Sequence, residues 1–310
     1  MRRVQREQAA TQNRRHLYQS KCLRICSPRQ TLVPFYIGCA SIHRRNLPMM
    51  LNAVLLSSVL GIFIFASLMS DRDSSPASEA SPRIPVLVEL FTSEGCSSCP
   101  PADKFLQKLD QQPIPGVHVI VLSEHVDYWN HIGWKDPYSA HFYSERQSSY
   151  ARRFELDSVY TPQMVIDGAR ELVGSNTAAA DKALAKAIAV PKLAVHLALT
   201  SANSKVLQAH VETGKLEPSF GVREADVYTA IALNRTESQV SSGENAGHKL
   251  THLAVVRELN KIAIVKLGQS FSKNIALDQE LAGNARLIVF VQERQQGKVL
   301  GVAQLPLERK

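Results

Sequence analysis

The sequence has 310 residues, 45% of them hydrophobic, which is enough for two ordinary domains whose cores do not depend on disulfides. Its formal net charge is +8, but ten of the 36 Lys and Arg residues and only one of the 28 acidic residues lie in residues 1–48. The rest of the chain is nearly neutral and has no stripe of basic and aromatic residues, so we expect no nucleic-acid binding.

The basic segment, residues 1–46, has no sustained periodicity. It is typical of a disordered tail, a targeting sequence, or an upstream extension from a misassigned start codon. Met49 and Met50 are alternative starts. Because no cluster of histidines accompanies its cysteines, we expect free thiols there and not a zinc site. These cysteines are Cys22, Cys26 and Cys39.

Residues 47–69 form a stretch of 23 residues without a charge. About 20 apolar residues cross a bilayer core, so the stretch is a transmembrane anchor or the apolar region of a cleaved signal peptide. The lack of a cleavage site directly after it favours the anchor. Arg44 and Arg45 before it predict a cytoplasmic N-terminus, with the body periplasmic, or secreted if the segment is cleaved. Residues 70–83, rich in Ser, Pro and Ala, are typical of a flexible linker.

Strands and helices alternate in a first domain, residues 84–190. Apolar runs predict buried strands at 84–91 and 117–122, with a helix at 96–109 between them, and the crossover should be right-handed. Asp167-Gly168 predicts a two-residue hairpin turn, and Asn176 is a good N-cap for the helix that follows. The remaining predicted elements are a helix at 139–154, strands at 164–167 and 171–173, and a helix at 177–190.

This order, βαβ, helix, ββα, is the minimal order of the thioredoxin fold. Pro162 stands just before the third strand, where that fold places a cis-proline beside its active cysteines. A cis X–Pro bond is found at only about 5–6% of such bonds in folded proteins, so its prediction here rests on this context. The sequence therefore predicts an α/β thioredoxin-like domain.

Cys96-Ser97-Ser98-Cys99 lies between the first strand and the first helix. Free N–H groups and the helix dipole stabilise a thiolate at such a position. We expect Cys96, the first and more exposed of the pair, to be the nucleophile and Cys99 to be the resolving thiol. The pair would itself be the redox group, without a metal or a separate cofactor. The alternative is a permanently oxidised, structural disulfide.

Other polar and aromatic residues could serve this motif. Glu89, on the first strand, could accept the proton of Cys99, or it could be paired with a lysine or a backbone group. The backbone beside Thr161 could pair with an extended peptide of a substrate. Five further residues could line a substrate groove or pack in the layer that covers the sheet: His125, Asp127, Tyr128, Trp129 and Trp134. His125 could also act as a proton shuttle.

Five stretches of the chain together resemble an uncharacterised bacterial family, domain of unknown function 1223. They are residues 89–103, 125–129, 160–168, 243–247 and 287–292. The resemblance covers about residues 84 to 305 and leaves out the basic tail. It implies a thioredoxin-like fold and an exported location, and it implies no substrate.

Alternating patterns predict a second domain, a small antiparallel β-sandwich at residues 191–310. It contains no cysteine, so we expect it to dock a partner or to shield the redox face. Gly243-Glu244-Asn245 is expected to be a turn with capping hydrogen bonds and not a site. The predicted strands are 192–200, 206–211, 226–233, 262–267, 285–292 and 299–305.

Two functions of different classes follow. The first is an exported, membrane-tethered thiol–disulfide oxidoreductase that uses the Cys-x-x-Cys pair on protein thiols or disulfides. The second is a thioredoxin-like binding or assembly module whose disulfide only braces the fold.

Overall fold

The computed structural model describes residues 83–203, 206–277 and 283–307. The predicted tail, the apolar stretch 47–69 and nearly all of the linker lie outside these residues. In the part that is described, no helix is both long and apolar enough to cross a bilayer.

The first half of the described chain contains the predicted strands and helices in the predicted order. β1 runs parallel to β2 and antiparallel to β3, so β1 lies inside the sheet and its residues from Val86 onwards are buried. The elements are β1 (Ile84–Thr92), α1 (Pro100–Gln111), β2 (Val117–His125), α2 (His141–Arg153), β3 (Gln163–Ile166), β4 (Arg170–Val173) and α3 (Thr177–Ala187).

Two helix starts follow from local chemistry. α1 begins at Pro100 and not at Cys96, because Pro100 and Pro101 lack N–H groups and fit the first two helical positions. Asn176 caps α3 as predicted, and its side-chain oxygen accepts the N–H of Ala179 at 3.1 Å.

The second half is built from strands that belong to two sheets. β7, β8, β10 and β11 continue the sheet of the first half, giving eight strands in the order β11-β10-β7-β8-β2-β1-β3-β4. β5, β6 and β9 form a separate three-stranded sheet. The elements are β5 (Val195–Asn203), β6 (Val206–Thr213), β7 (Glu224–Gln239), β8 (Lys249–Lys266), β9 (Ser272–Leu277), β10 (Ala285–Glu293) and β11 (Val299–Leu307).

Residues 191–310 do not form a sheet system of their own, as the predicted separate β-sandwich requires, because four of their strands belong to the sheet of the first half. Leu287 and Val289 of β10 belong to the apolar cluster between the two sheets, while Ile288 and Phe290 belong to the cluster around the helices. Residue 190 therefore does not separate two sheets, and the described residues belong to one compact unit. The physical reason is that β8 pairs in parallel with β2, at Ser123 and Val255.

Two strands differ from the sequence prediction. β8 was expected only at 262–267, and β9 was not expected. The first half of β8 has no clean period-two pattern, yet it pairs with β7 from Lys249 onwards. β9 is largely exposed and is held by pairing with β6. Partners distant in sequence stabilise both strands.

The hairpin between β3 and β4 has a three-residue loop, residues 167–169, and not the predicted two-residue turn, because Ile166 pairs with Arg170. This loop requires glycine at position 168. Its φ is +59°, and a Cβ there would lie 2.1 Å from the carbonyl oxygen of Gly297. We expect Gly168→Ala to lower the free energy of unfolding by about 2–4 kcal/mol, through backbone strain and this clash. Urea denaturation measures the loss.

The matched control is Gly116→Ala. Gly116 has a φ of +73°, and a Cβ added there would have none of the described heavy atoms within 4 Å. We expect a loss of only about 1–2 kcal/mol there. Equal losses in the two variants would contradict the close approach of the hairpin to Gly297.

Candidate functional site

Cys96 and Cys99 form a disulfide in the loop between β1 and α1, and their Cα atoms are 5.4 Å apart. The carbonyl oxygen of Cys99 accepts the N–H groups of Ala102 at 2.8 Å and Asp103 at 3.1 Å. Cys99 therefore already belongs to the first turn of α1. The predicted placement of the pair at a helix N-terminus is present.

The burial of the pair differs from the expectation that Cys96 is the more exposed. Both residues have 0% exposure, whereas Ser97 and Ser98 between them are exposed. In the disulfide form, exposure does not distinguish a nucleophile from a resolving thiol.

The β7–β8 loop, residues 240–248, holds the cysteine loop in place. The Nδ2 of Asn245 donates to the carbonyl oxygens of Glu94 at 2.8 Å and Cys96 at 3.1 Å. A carboxylate oxygen of Glu244 accepts the N–H of Ser97 at 3.1 Å, and the Ser97 hydroxyl together with this N–H lowers the pKa of Glu244. Gly243-Glu244-Asn245 is the expected turn, but its hydrogen bonds reach the cysteine loop. Only its place in the family resemblance signalled this.

Pro162 and Thr161 also lie against the cysteine loop. The Thr161–Pro162 peptide bond is cis, as the sequence predicts. The Ser98 hydroxyl donates to the carbonyl oxygen of Thr161 at 3.5 Å, and Trp129 Nε1 donates to the Thr161 hydroxyl at 2.8 Å. Ser98, Trp129 and Thr161 therefore meet at one edge of the motif.

The other residues predicted for a groove divide between two places. Trp134 Nε1 donates to Glu94 at 2.8 Å, directly before the cysteine loop. Asp127 and Tyr128 instead contact α2. The N–H of Asp127 donates to the Ser144 hydroxyl at 3.1 Å, and the Tyr128 hydroxyl donates to Gln147 at 3.1 Å. Burial raises the pKa of Tyr128 to about 12.

His125 belongs to a buried group of five residues that we call the acid–histidine cluster. His125 Nδ1 lies 2.7 Å from a carboxylate oxygen of Asp136, and His252 Nε2 lies 3.1 Å from one of Glu94. The two imidazole rings are 4.7 Å apart between centroids. His252 Nδ1 lies 3.9 Å from Asp103, the fifth member. All five residues are at most 6% exposed.

Burial and charge act in opposite directions on the pKa values in this cluster. Burial raises the pKa of Asp136, but the charge and hydrogen bond of His125 outweigh it and leave the pKa below its usual value. Burial lowers the pKa of His252, but the hydrogen bond to Glu94 and the charge of Asp103 outweigh it and raise the pKa. For Asp103, burial prevails over the charge of His252, and its pKa is raised.

Among the described residues, no three His, Cys, Asp or Glu are arranged to hold a metal ion.

Glu89, the candidate proton acceptor, lies in a different buried network. Its carboxylate accepts Arg146 Nε at 2.8 Å and the Tyr150 hydroxyl at 2.5 Å. Arg146 also donates to Gln292 at 3.1 Å and lies 3.6 Å from Glu124. Burial raises the pKa of Glu124 well above its usual value, although the charge of Arg146 opposes this. The cation beside Glu89 is thus an arginine of α2, which the sequence did not identify.

The first prediction for this region concerns Arg146. We expect Arg146→Met to lower the free energy of unfolding by about 3–5 kcal/mol, because it leaves the buried Glu89 without its cation. The control is Arg153→Met on the same helix, which breaks a partly exposed pair with Glu293 and should cost at most about 1 kcal/mol. Similar losses in urea denaturation would contradict a structural role for this network.

The second prediction concerns Asn245. We expect Asn245→Ala to speed reduction of the disulfide by dithiothreitol, because it releases the cysteine loop. It should also cost about 1–3 kcal/mol of stability by leaving the buried carbonyl group of Glu94 unpaired, while the Cys96 carbonyl keeps the N–H of Cys99. The control is Asn274→Ala, at an exposed position on β9. Equal reduction rates for the wild type and Asn245→Ala would show that this loop does not limit access.

Comparisons with known proteins place this site in a family. Comparison with curated proteins finds no match. A crystal structure of a structural-genomics protein from Agrobacterium tumefaciens is similar, with a TM-score of 0.60 and 25% identity over 74% of this chain and 98% of that chain. HBP35 of Porphyromonas gingivalis has a TM-score of 0.55 and 15% identity over 74% of this chain and 77% of that chain, a likeness of fold alone. The model of a family described as "Protein of unknown function (DUF1223)" matches residues 87–292, and the chain therefore belongs to the DUF1223 family.

Proposed function

We propose that this protein is an exported thiol–disulfide oxidoreductase that works through the Cys96–Cys99 pair. The observation that carries the proposal is the disulfide at the start of α1, in a loop that contacts Thr161 directly before Pro162. An N-terminal helix turn stabilises a thiolate when the pair is reduced.

The order and pairing of the first seven elements support a thioredoxin-like frame for this chemistry. β1 leads directly into the cysteine loop, α1 follows it, and β3 returns antiparallel to β1 immediately after Pro162. The strands β7, β8, β10 and β11 extend that frame on its β2 side.

The substrates of this activity would be protein thiols or disulfides. A partner thiolate attacks Sγ of Cys96, the S–S bond breaks, and Cys99 leaves as a thiolate. The second thiolate of the partner then attacks the mixed disulfide and releases Cys96. Two electrons move from the partner dithiol to the cysteine pair, and the reverse sequence oxidises the pair.

Access to the pair requires a local movement, because both cysteines are buried. The β7–β8 loop is the segment whose displacement would open the Cys96 side. An extended segment of the partner could then use the backbone beside Thr161, at the edge where Ser98 and Trp129 meet.

Export rests on the apolar stretch 47–69, as a membrane anchor or a cleaved signal. The disulfide agrees with an oxidising compartment such as the periplasm, where such bonds persist. The proposal needs no metal and no cofactor other than the disulfide.

The burial of both cysteines favours a second candidate, a thioredoxin-like binding or assembly module braced by a structural disulfide. The two hydrogen bonds from Asn245 favour it as well, since they hold the cysteine loop in one arrangement. The two functions differ in whether the pair exchanges with thiols.

Equilibration with glutathione buffers of graded potential tests the proposal. All samples carry serine at the three N-terminal cysteines, Cys22, Cys26 and Cys39, and thiols are counted by gel shift with a maleimide–polyethylene glycol. We expect the pair to be reduced and reoxidised within the range set by glutathione, and Cys99→Ser to accumulate a mixed disulfide with glutathione at Cys96. A disulfide that stays oxidised well below about −300 mV would instead support the binding module. Equal trapping by Cys96→Ala would overturn Cys96 as the nucleophile.

A further inference from the structure

We propose that Asp103 gives a proton to Cys99 when the disulfide opens and takes it back when the disulfide closes, with His252 as its positioning residue. This inference rests on the proposed function and adds the acid–base partner of its resolving thiol.

The helix places Asp103 next to Cys99. Asp103 follows Cys99 by four residues, and its N–H donates to the Cys99 carbonyl oxygen at 3.1 Å. Residues four apart lie on the same helix face with Cβ atoms about 5–6 Å apart. Side chains on a helix point toward its N-terminus, so the carboxyl group of Asp103 is directed toward the turn that carries Cys99.

Asp103 is buried but lacks the partners that a buried carboxyl normally has. Within the described part of the chain, its Oδ1 has no partner at hydrogen-bond geometry, although the nearby Thr92 hydroxyl acts to lower its pKa, and its Oδ2 lies 3.9 Å from His252 Nδ1. Three buried atoms of neighbouring strands also lack partners there. They are Thr92 Oγ1 on β1, His125 Nε2 on β2 and His252 Nδ1 on β8. Unpaired buried polar groups destabilise a fold, so such a concentration beside a disulfide calls for a functional explanation.

The other nearby carboxylates are already engaged. Glu94 accepts from Trp134 and contacts His252, and Asp136 contacts His125 and accepts the backbone N–H groups of Glu94 and Tyr138. Glu89 is held by Arg146 and Tyr150 in the separate network. Glu124 on β2 also has oxygens without a hydrogen-bond partner, but it lies 3.6 Å from Arg146 in that separate network. Asp103 is the carboxyl group of the acid–histidine cluster that keeps an oxygen available for a proton.

Its surroundings also favour a protonated carboxyl group. Burial raises the pKa of Asp103, so the carboxyl holds a proton at a higher pH than an ordinary aspartate. The raised pKa of His252 favours its charged form, which would stabilise the carboxylate left after proton transfer. Other titratable and charged groups face Asp103 and His252 from the elements packed around them. They are Glu94 after β1, His125 on β2, Asp136 and Tyr138 before α2, and Arg257 on β8. Arg257 lies over the Tyr138 ring.

The proton transfer balances the thiol chemistry. When a partner thiolate attacks Cys96, the electrons of the broken S–S bond go to Cys99, and its thiolate takes the proton of the Asp103 carboxyl group. When Cys99 attacks a mixed disulfide at Cys96, its thiol first returns that proton to the Asp103 carboxylate, and the partner leaves as a thiolate.

The test is the rate at which Cys99 resolves a mixed disulfide between Cys96 and glutathione, measured by stopped flow across a range of pH. The wild type should show an inflection that reports the pKa of Asp103. We expect Asp103→Asn to slow this step about tenfold or more near neutral pH and to lose the inflection, because hydroxide must then remove the proton. Asp103→Glu keeps a carboxyl group and should retain an inflection.

Three further variants sharpen the result. His252→Gln should move the inflection to higher pH, because it removes a positive charge that lowers the pKa of Asp103. If Asp103→Asn does not fold, His252→Gln provides the test. Asp110→Asn, on the same helix but paired with Arg286, should leave the pH profile unchanged. Loss of the inflection in Glu89→Gln but not in Asp103→Asn would overturn the proposal.

The two levels of inference fail in different ways. If the wild type forms no mixed disulfide with glutathione, the proposed oxidoreductase function fails. If the wild type cycles but neither Asp103→Asn nor His252→Gln alters the pH profile, only the role of Asp103 is overturned.

Discussion

The pairing of β2 with β8 is the contact on which the candidate site depends. Without it, the edge of β2 would present unpaired backbone groups, which folded proteins avoid. Because β8 joins there, at Ser123 and Val255, residues just before Val255 come to the end of β1. His252 then reaches Glu94, and the loop that precedes β8 places Asn245 on the cysteine loop. The cysteine pair lies at the strand-to-helix junction of the first half, but the second half covers it.

Two buried polar networks lie against the sheet, and their candidate proton acceptors, Glu89 and Asp103, differ in how well they are satisfied. Glu124, in the network of Glu89, also has oxygens without a hydrogen-bond partner, but it lies 3.6 Å from Arg146. Around Glu89, the Arg146 guanidinium and the Tyr150 hydroxyl both donate to the carboxylate, and Gln292 accepts from Arg146, which is how a buried charge is stabilised. In the acid–histidine cluster, by contrast, Asp103 and both histidines retain atoms without partners in the described structure. A satisfied network makes a fold rigid, whereas an incompletely satisfied one keeps capacity to accept or give a proton. Because of this difference, we assign the proton exchange with Cys99 to Asp103 and not to Glu89.

Much of the first half could be predicted because its determinants are local. Apolar runs marked β1 and β2, Asp167-Gly168 marked the β3–β4 hairpin, and Asn176 marked the start of α3. The cysteine pair and Pro162 were found in the same way, from residue types next to predicted elements. β8 and β9 were not found in full, because each is stabilised by a strand distant in the sequence.

The sequence by itself determined the order of the first seven elements, the position of the cysteine pair at a helix start and the proline beside it. Periodicity, turn chemistry and capping act over a few residues, so they can be read without knowledge of the fold. Only the tertiary structure decided that Arg146 holds Glu89, that Asn245 binds the backbone of Cys96, and that His252 stands beside Asp103. Each of these contacts joins residues more than fifty positions apart, and their meeting depends on strand pairing and burial that no local pattern encodes.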